Sequence, residues 1–156
     1  MTAPAKTTKR QMKSASRLYA VQALFQMEAA GQTVDHVIRE FEDHRFGATY
    51  DDDEMVEGDV ATFRALMERA VDNQAAIDQL TDRALVAKWP LGRIDPTLRA
   101  LFRAAGAELL AKDTPPKVVI VEFVGVAQAF FPEGKESKFV NGVLDHMARE
   151  VQPDAF

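Results

Sequence analysis

Cysteine is absent from the 156 residues. That excludes a disulfide scaffold, a thiolate zinc site and a cysteine nucleophile, and it fits a reducing compartment. Histidine is scarce, with His36, His44 and His146 scattered along the chain. No run of 18 uncharged apolar residues occurs, and the opening MTAPAKTTKRQMK has no apolar stretch ahead of a cleavage site. Neither a membrane span nor a secretory signal is therefore expected, and the expected location is the cytoplasm. Polar and apolar residues hardly ever alternate with a period of two, which argues against a sheet. A phosphate loop around Gly134-Lys135 would need glycine at 129 and serine or threonine at 136, where Ala129 and Glu136 stand. The acidic stretch Asp51, Asp52, Asp53, Glu54, Glu57 lacks calcium-loop spacing, because Met55 occupies a ligand position with no glycine after it. No metal, cofactor or catalytic activity is expected.

What the chain does have is core material, 47% hydrophobic residues at a length that suits one domain. Its formal net charge of −5 is unevenly distributed. Residues 1–27 carry Lys6, Lys9, Arg10, Lys13 and Arg17 and no acid, so the remaining 14 basic and 24 acidic residues leave the body at −10. A basic arm on an acidic body points to a polyanion at one end.

Helical periodicity dominates. Leu18, Val21, Leu24, Phe25 and Ala29 place an amphipathic helix over 14–30, with Ser14 or Ser16 as N-cap and Gly31 as terminator. A shorter helix is predicted over 34–43, followed by a loop from His44 to Gly58. Asp59 would cap a long helix reaching about Lys88, with a break near Thr81, and Trp89-Pro90-Leu91-Gly92 reads as a turn. Asp95-Pro96 starts the next helix, with Leu98, Leu101, Phe102, Ala105 and Leu109 on one face. VVIVEFVGVAQAFF after Pro115-Pro116 favours a strand by propensity, yet its length and the spacing of Ile120, Phe123, Val124, Ala127 and Phe131 predict a helix. A last helix is predicted from about Ser137 to Glu150. The fold class expected is all-α, a single-domain bundle of about seven helices.

Two stretches bear chemistry. Lys9, Arg10, Lys13 and Arg17 lead into a helix with Tyr19, Gln22 and Phe25; cations bind phosphate, and amides and aromatic rings read unstacked bases. The same composition equally fits a solubilising tail. In KESKFVNG, residues 135–142, Ser137 and Lys138 stand near a helix start, where a phosphate is readily held. Phe139 reads either as core or as a ligand contact. Gly142 inside a helix costs about 1 kcal/mol against alanine, which implies close backbone packing or a need for space beside it.

Arg17-Leu-Tyr-Ala-Val-Gln-Ala-Leu-Phe25-Gln26, Leu-Phe-Arg103, Glu108-Leu109, Pro116-Lys117-Val118 with Glu122, and above all KFVNGVLD from Lys138 to Asp145 resemble the NusB family of bacterial transcription antitermination factors. The resemblance runs from about Lys13 to Ala148. It implies a seven-helix bundle that binds single-stranded boxA-type RNA together with the ribosomal protein NusE, and reaches other antitermination factors and RNA polymerase indirectly. RNA contacts implied are Lys9, Arg10, Lys13, Arg17, Gln22, Lys138 and Phe139, the last by stacking. The implied NusE face comprises Phe25, Leu98, Arg99 and Phe102.

Departures from the family pattern carry expectations of their own. The arginine run is thinned to Lys13-Ser14-Ala15-Ser16-Arg17, Leu98 replaces an acid before Arg99, and Ala107 replaces a tyrosine. Val121, Phe123 and Gly125 stand where Asn, Ala and Glu are usual, so a more apolar surface and a homodimer through it are expected. The alternative function is a protein-only or self-associating helical adaptor without RNA binding. The RNA-binding module of ribosomal RNA cytosine methyltransferases is the other NusB-like reading, for which 156 residues offer no cofactor domain. The expected organisation is a flexible basic arm over 1–12, the helical domain over 13–150 and a tail over 151–156.

Overall fold

The computed structural model of the protein describes residues 8–50, 53–54, 56–85 and 94–156. The turn expected at Trp89-Pro90-Leu91-Gly92, the end of the helix expected to reach Lys88, and Asp51, Asp52 and Met55 of the acidic loop lie outside the described residues, as does Lys6.

Seven α-helices make up the described fold: α1 Lys9–Ala30, α2 Val34–Glu40, α3 Val60–Asp72, α4 Gln74–Ala84, α5 Pro96–Ala111, α6 Pro116–Phe130 and α7 Lys135–Val151. A single π-helical turn, Phe41–Arg45, follows α2. A two-residue antiparallel pair, β1 Thr49–Tyr50 and β2 Asp53–Glu54, sets Thr49 opposite Glu54 and Tyr50 opposite Asp53.

α1 begins five residues earlier than expected. Thr8 is its N-cap in a reciprocal capping box with Gln11, which satisfies two N–H groups that would otherwise lack partners. Lys9, Arg10 and Lys13 are therefore fixed on a helix. Ser14 and Ser16 are not caps but tertiary contacts: Ser14 donates to Glu122, and Ser16 donates to the Asp59 carbonyl while accepting from the Asp59 N–H. Gly31, in the left-handed region at φ 67°, ends the helix as predicted.

The expected long helix is two. It breaks at Asn73, whose backbone (φ −116°, ψ 19°) leaves the helical region, and not near Thr81, whose hydroxyl is buried and donates to the Ile77 carbonyl within α4. Asp59 caps α3 through the Thr62 N–H, and Asp95 with Pro96 starts α5, both as predicted. α7 starts at Lys135, two residues ahead of the expectation.

α5 is the central helix, buried along most of its length and packed against α1, α3, α4, α6 and α7. Its run of alanines lets neighbours approach closely. At Gly106 the Ile77 methyl stands 2.5 Å from where a Cβ would be. α6 is helical despite its valines, because Val119, Ile120, Phe123, Val126 and Ala127 are all buried. Burying one large apolar side chain gains about 1.5–3 kcal/mol, several times the few tenths that a β-branched residue loses in a helix.

Candidate nucleic-acid interface

The N-terminal turns of α1 present Lys9, Arg10 and Lys13 to solvent. Lys9 and Lys13, four residues apart, share one face. Arg17, one turn further, does not join them: it is 6% exposed, and its Nε and Nη2 donate to the two Glu108 oxygens at 2.7 and 2.8 Å. Its Nη1 lies 3.5 Å from Glu122, which also accepts from Ser14 at 2.8 Å. Burial works most strongly against the guanidinium charge, but the hydrogen bonds and charge of Glu108, with Glu122 beyond, outweigh it and hold Arg17 above its ordinary pKa. The expected phosphate contact by Arg17 is thus corrected. Its fork is already occupied by carboxylates, and it anchors α1 to α5 and α6.

Two hollows flank these cations. One of about 350 Å³ lies between α1, α3 and the end of α5, with Arg17 and Glu108 contributing to its lining beside Lys9, Lys13, Asp59 and Arg69. The other, about 320 Å³, brings Lys9, Arg10, Lys13 and Arg17 together with Val118 and Glu122 of α6. The Asp59 carboxyl is held below its usual range, first by the Thr62 backbone N–H it caps and also by the charges of Lys13 and Lys9.

Gln22 and Phe25 line a separate groove on α1 with Thr97 and Phe130. Phe25 is 40% exposed. Beside it a charge network joins three helices: Arg99 pairs with Glu28, and Arg103 bridges Glu28 at 3.3 Å and Asp78 at 2.9 Å. The Arg99 hydrogen bond is the main reason that the Glu28 carboxyl lies below its usual range. Leu98 and Phe102, expected on the partner face, are buried in the core, so that expectation is corrected. They belong to the same apolar stripe as Leu101, Ala105 and Leu109, and the core claims the whole stripe.

Lys138 is exposed at the start of α7. Phe139 is half-buried and packs against the core, its ring steeply inclined to that of Phe102 with centroids 6.1 Å apart. The Ser137 hydroxyl is buried without a hydrogen-bond partner among the described residues. A Cβ at Gly142 would meet nothing within 4 Å, so of its two readings the structure supports space, not close packing. On α6, Phe123 is core, which corrects its place in the expected apolar surface; Val121, 72% exposed, and Val118 do face solvent.

Among the described residues no group of three or more His, Asp or Glu side chains is arranged to hold a metal. None of the described helices is long and apolar enough to cross a membrane. Sequence reasoning missed the roles of Glu108, Glu122 and Ser14 around Arg17. Glu108 carried a signal, being the lone charge in the run AAGAELLA. An acid in such a position is buried only when paired.

The model of the NusB family matches residues 14–149. The transcription antitermination protein NusB of Maricaulis maris is 49% identical over 146 residues, covering 93% of this chain and 91% of that protein. Its counterpart in Caulobacter vibrioides is 46% identical over 143 residues, covering 91% and 95%. Among solved structures, T. maritima NusB superposes with a TM-score of 0.72 at 31% identity, covering 94% of each chain. A crystal structure of the antitermination factors NusB and NusE in complex with dsRNA shares the fold at TM-score 0.73 and 23% identity, covering 92% of this chain and 99% of that one. With seven helices among the described residues and a family match over nearly its whole length, the chain belongs to the NusB family.

Proposed function

We propose that the protein is a transcription antitermination factor that binds boxA-type single-stranded RNA together with a NusE-type ribosomal protein and so suppresses premature termination, chiefly of ribosomal RNA transcription. It is an adaptor, not an enzyme, and it works in the cytoplasm where transcription proceeds. The observation that carries the reading is the exposed triplet Lys9, Arg10 and Lys13 on a helix locked in place by the Arg17 fork. Family membership supplies the reaction context, since the relatives are named as transcription antitermination proteins.

In this reading the triplet binds phosphates, Gln22 borders the RNA, and Lys138 with the exposed part of Phe139 receives a base. Phe25 and the Arg99 region face the NusE-type partner. The acidic body suits such a partner, because a basic ribosomal protein offsets the −10 that would otherwise repel phosphate. Linkage then requires RNA and partner to strengthen each other by one common factor.

Titration of boxA-type RNA at several salt concentrations tests the reading. Three single-strand phosphate contacts give a log–log slope of about −2, at roughly −0.7 per contact. Replacing Lys9, Arg10 and Lys13 by glutamine flattens it. Unchanged affinity and slope after that substitution would eliminate the triplet as an RNA contact, and no binding by the wild type at low salt would leave the protein-only reading. A homodimer is the second reading, favoured by exposed Val118 and Val121 on α6; sedimentation of the wild type against V118S/V121S decides it.

A further inference from the structure

The cations of α1 stand between two walls of different character. On the α6 side the wall offers Val118 and the carboxylate of Glu122. On the α3 side it offers Ala61, Ala65 and Arg69, spaced by four residues and therefore aligned along one face of that helix. Two small neutral side chains clear a lane that ends in a guanidinium. Arg69 is exposed and forms no ion pair with any described residue. It also lies near the C-terminal end of α3, where a cation is favoured by the helix dipole.

The acids of this cleft are mostly committed. Glu108 is matched by Arg17 through two hydrogen bonds, and Asp59 accepts the Thr62 N–H as the cap of α3. Asp113, on the α5–α6 connection, is exposed and carries no hydrogen bond or ion pair to another described residue. The cleft therefore combines opposed cations from two helices, a floor that contains a self-neutralised pair, and one uncommitted acid. Opposed donors grip an anion from both sides, which a strip of cations on one helix cannot do.

From this placement we infer that the α1–α3 cleft is part of the RNA track: Arg69, with Lys9 and Lys13 on the other wall, holds a backbone phosphate of the bound single strand, and Asp113 weakens that grip. The inference rests on the RNA-binding reading above. It assigns the phosphate path to the α3 side of α1, not to the α6 side.

The test is a boxA-type RNA titration of the full chain at several salt concentrations, with R69Q, D113N and K9Q/K13Q beside the wild type. R69Q should weaken binding about fivefold at 0.1 M salt and make the slope less negative by about 0.7, the share of one single-strand contact. D113N should tighten binding, and K9Q/K13Q should remove about two contacts. Thermal melting should be unchanged in D113N and fall by no more than a few degrees in R69Q, which gives up only the small helix-dipole term, since both side chains are exposed. If R69Q keeps wild-type affinity and slope while K9Q/K13Q loses both, the cleft is not on the track, although the RNA reading survives. If K9Q/K13Q also binds as the wild type, neither wall of the cleft touches RNA and the cleft proposal fails alone; if the wild type itself does not bind, the RNA reading fails and the cleft proposal with it.

Discussion

Arg17 and Glu108 meet fork to fork, at 2.7 and 2.8 Å, with both side chains almost fully shielded from water. Such a pair adds little over well-packed apolar residues, but removing one partner strands the other charge and costs about 3–5 kcal/mol. For a chain of this size E108Q should therefore lower the melting temperature by on the order of 10 °C. Were Arg17 a phosphate contact instead, R17Q would change the salt dependence of RNA binding while sparing the melting point. Calorimetry with an RNA titration on both variants separates the two.

Phe139 is half-buried against the core, its ring steeply inclined to that of Phe102 with centroids 6.1 Å apart. F139L should retain most of the packing, losing only the roughly 0.5–1.5 kcal/mol of an aromatic pair, while giving up about 1–3 kcal/mol of base stacking. F102A, by contrast, should cost about 3–5 kcal/mol of stability because that ring is entirely buried. Chemical denaturation and RNA binding read the two effects apart. An F139L variant with native RNA affinity would assign the ring to packing alone.

Asp59 caps α3 through the Thr62 N–H, with its carboxyl held below the usual range by that bond. D59A should cost about 0.5–2 kcal/mol and D59N much less, since asparagine caps nearly as well. A folded-state pKa that is depressed gives stability that is complete above the unfolded value of about 3.9 and is lost as pH falls through the folded value. The advantage of the wild type over D59A should accordingly shrink below about pH 4. Melting curves from pH 7 to pH 2.5 check the sign.

Gly106 and Gly142 predict opposite outcomes for the same change. Both are helical, and alanine is intrinsically better there by about 1 kcal/mol. At 142 a methyl enters open space, so G142A should stabilise the fold by about 0.5–1 kcal/mol. At 106 it would stand 2.5 Å from the Ile77 methyl, and G106A should be destabilising by about 1–3 kcal/mol before that gain is counted. Equilibrium unfolding of the two variants measures the contrast. RNA binding by G142A shows in addition whether the vacant space serves a ligand.

The helical class, the caps at Asp59 and Asp95 and the stop at Gly31 were legible because each rests on local chemistry. The start of α1 was equally local in Thr8 and Gln11, but the serines at 14 and 16 are caps by type and were read as such; only the fold reveals that they reach Glu122 and Asp59. The break at Asn73 was hidden because apolar periodicity continues on both sides of it. Arg17 illustrates the limit at the site. Four cations in a row look alike in sequence, and what withdraws one of them is a carboxylate 91 positions away. Leu98 and Phe102 were drawn to a surface role by resemblance, although their spacing with Leu101 and Leu109 already marked them as core.

α1 is unbroken from Lys9 to Ala30. Its cationic triplet and Phe25 are therefore ends of one shaft, separated by about 24 Å at 1.5 Å per residue. A shaft transmits angular phase as well as distance. Inserting a single residue between Arg17 and Gln22 would turn one end by about 100° relative to the other, whereas four added residues would nearly restore the phase. The register between the charged end and the Phe25 end is thus a property of helical pitch, and a length change in this segment would misalign two surfaces while leaving every residue of each intact.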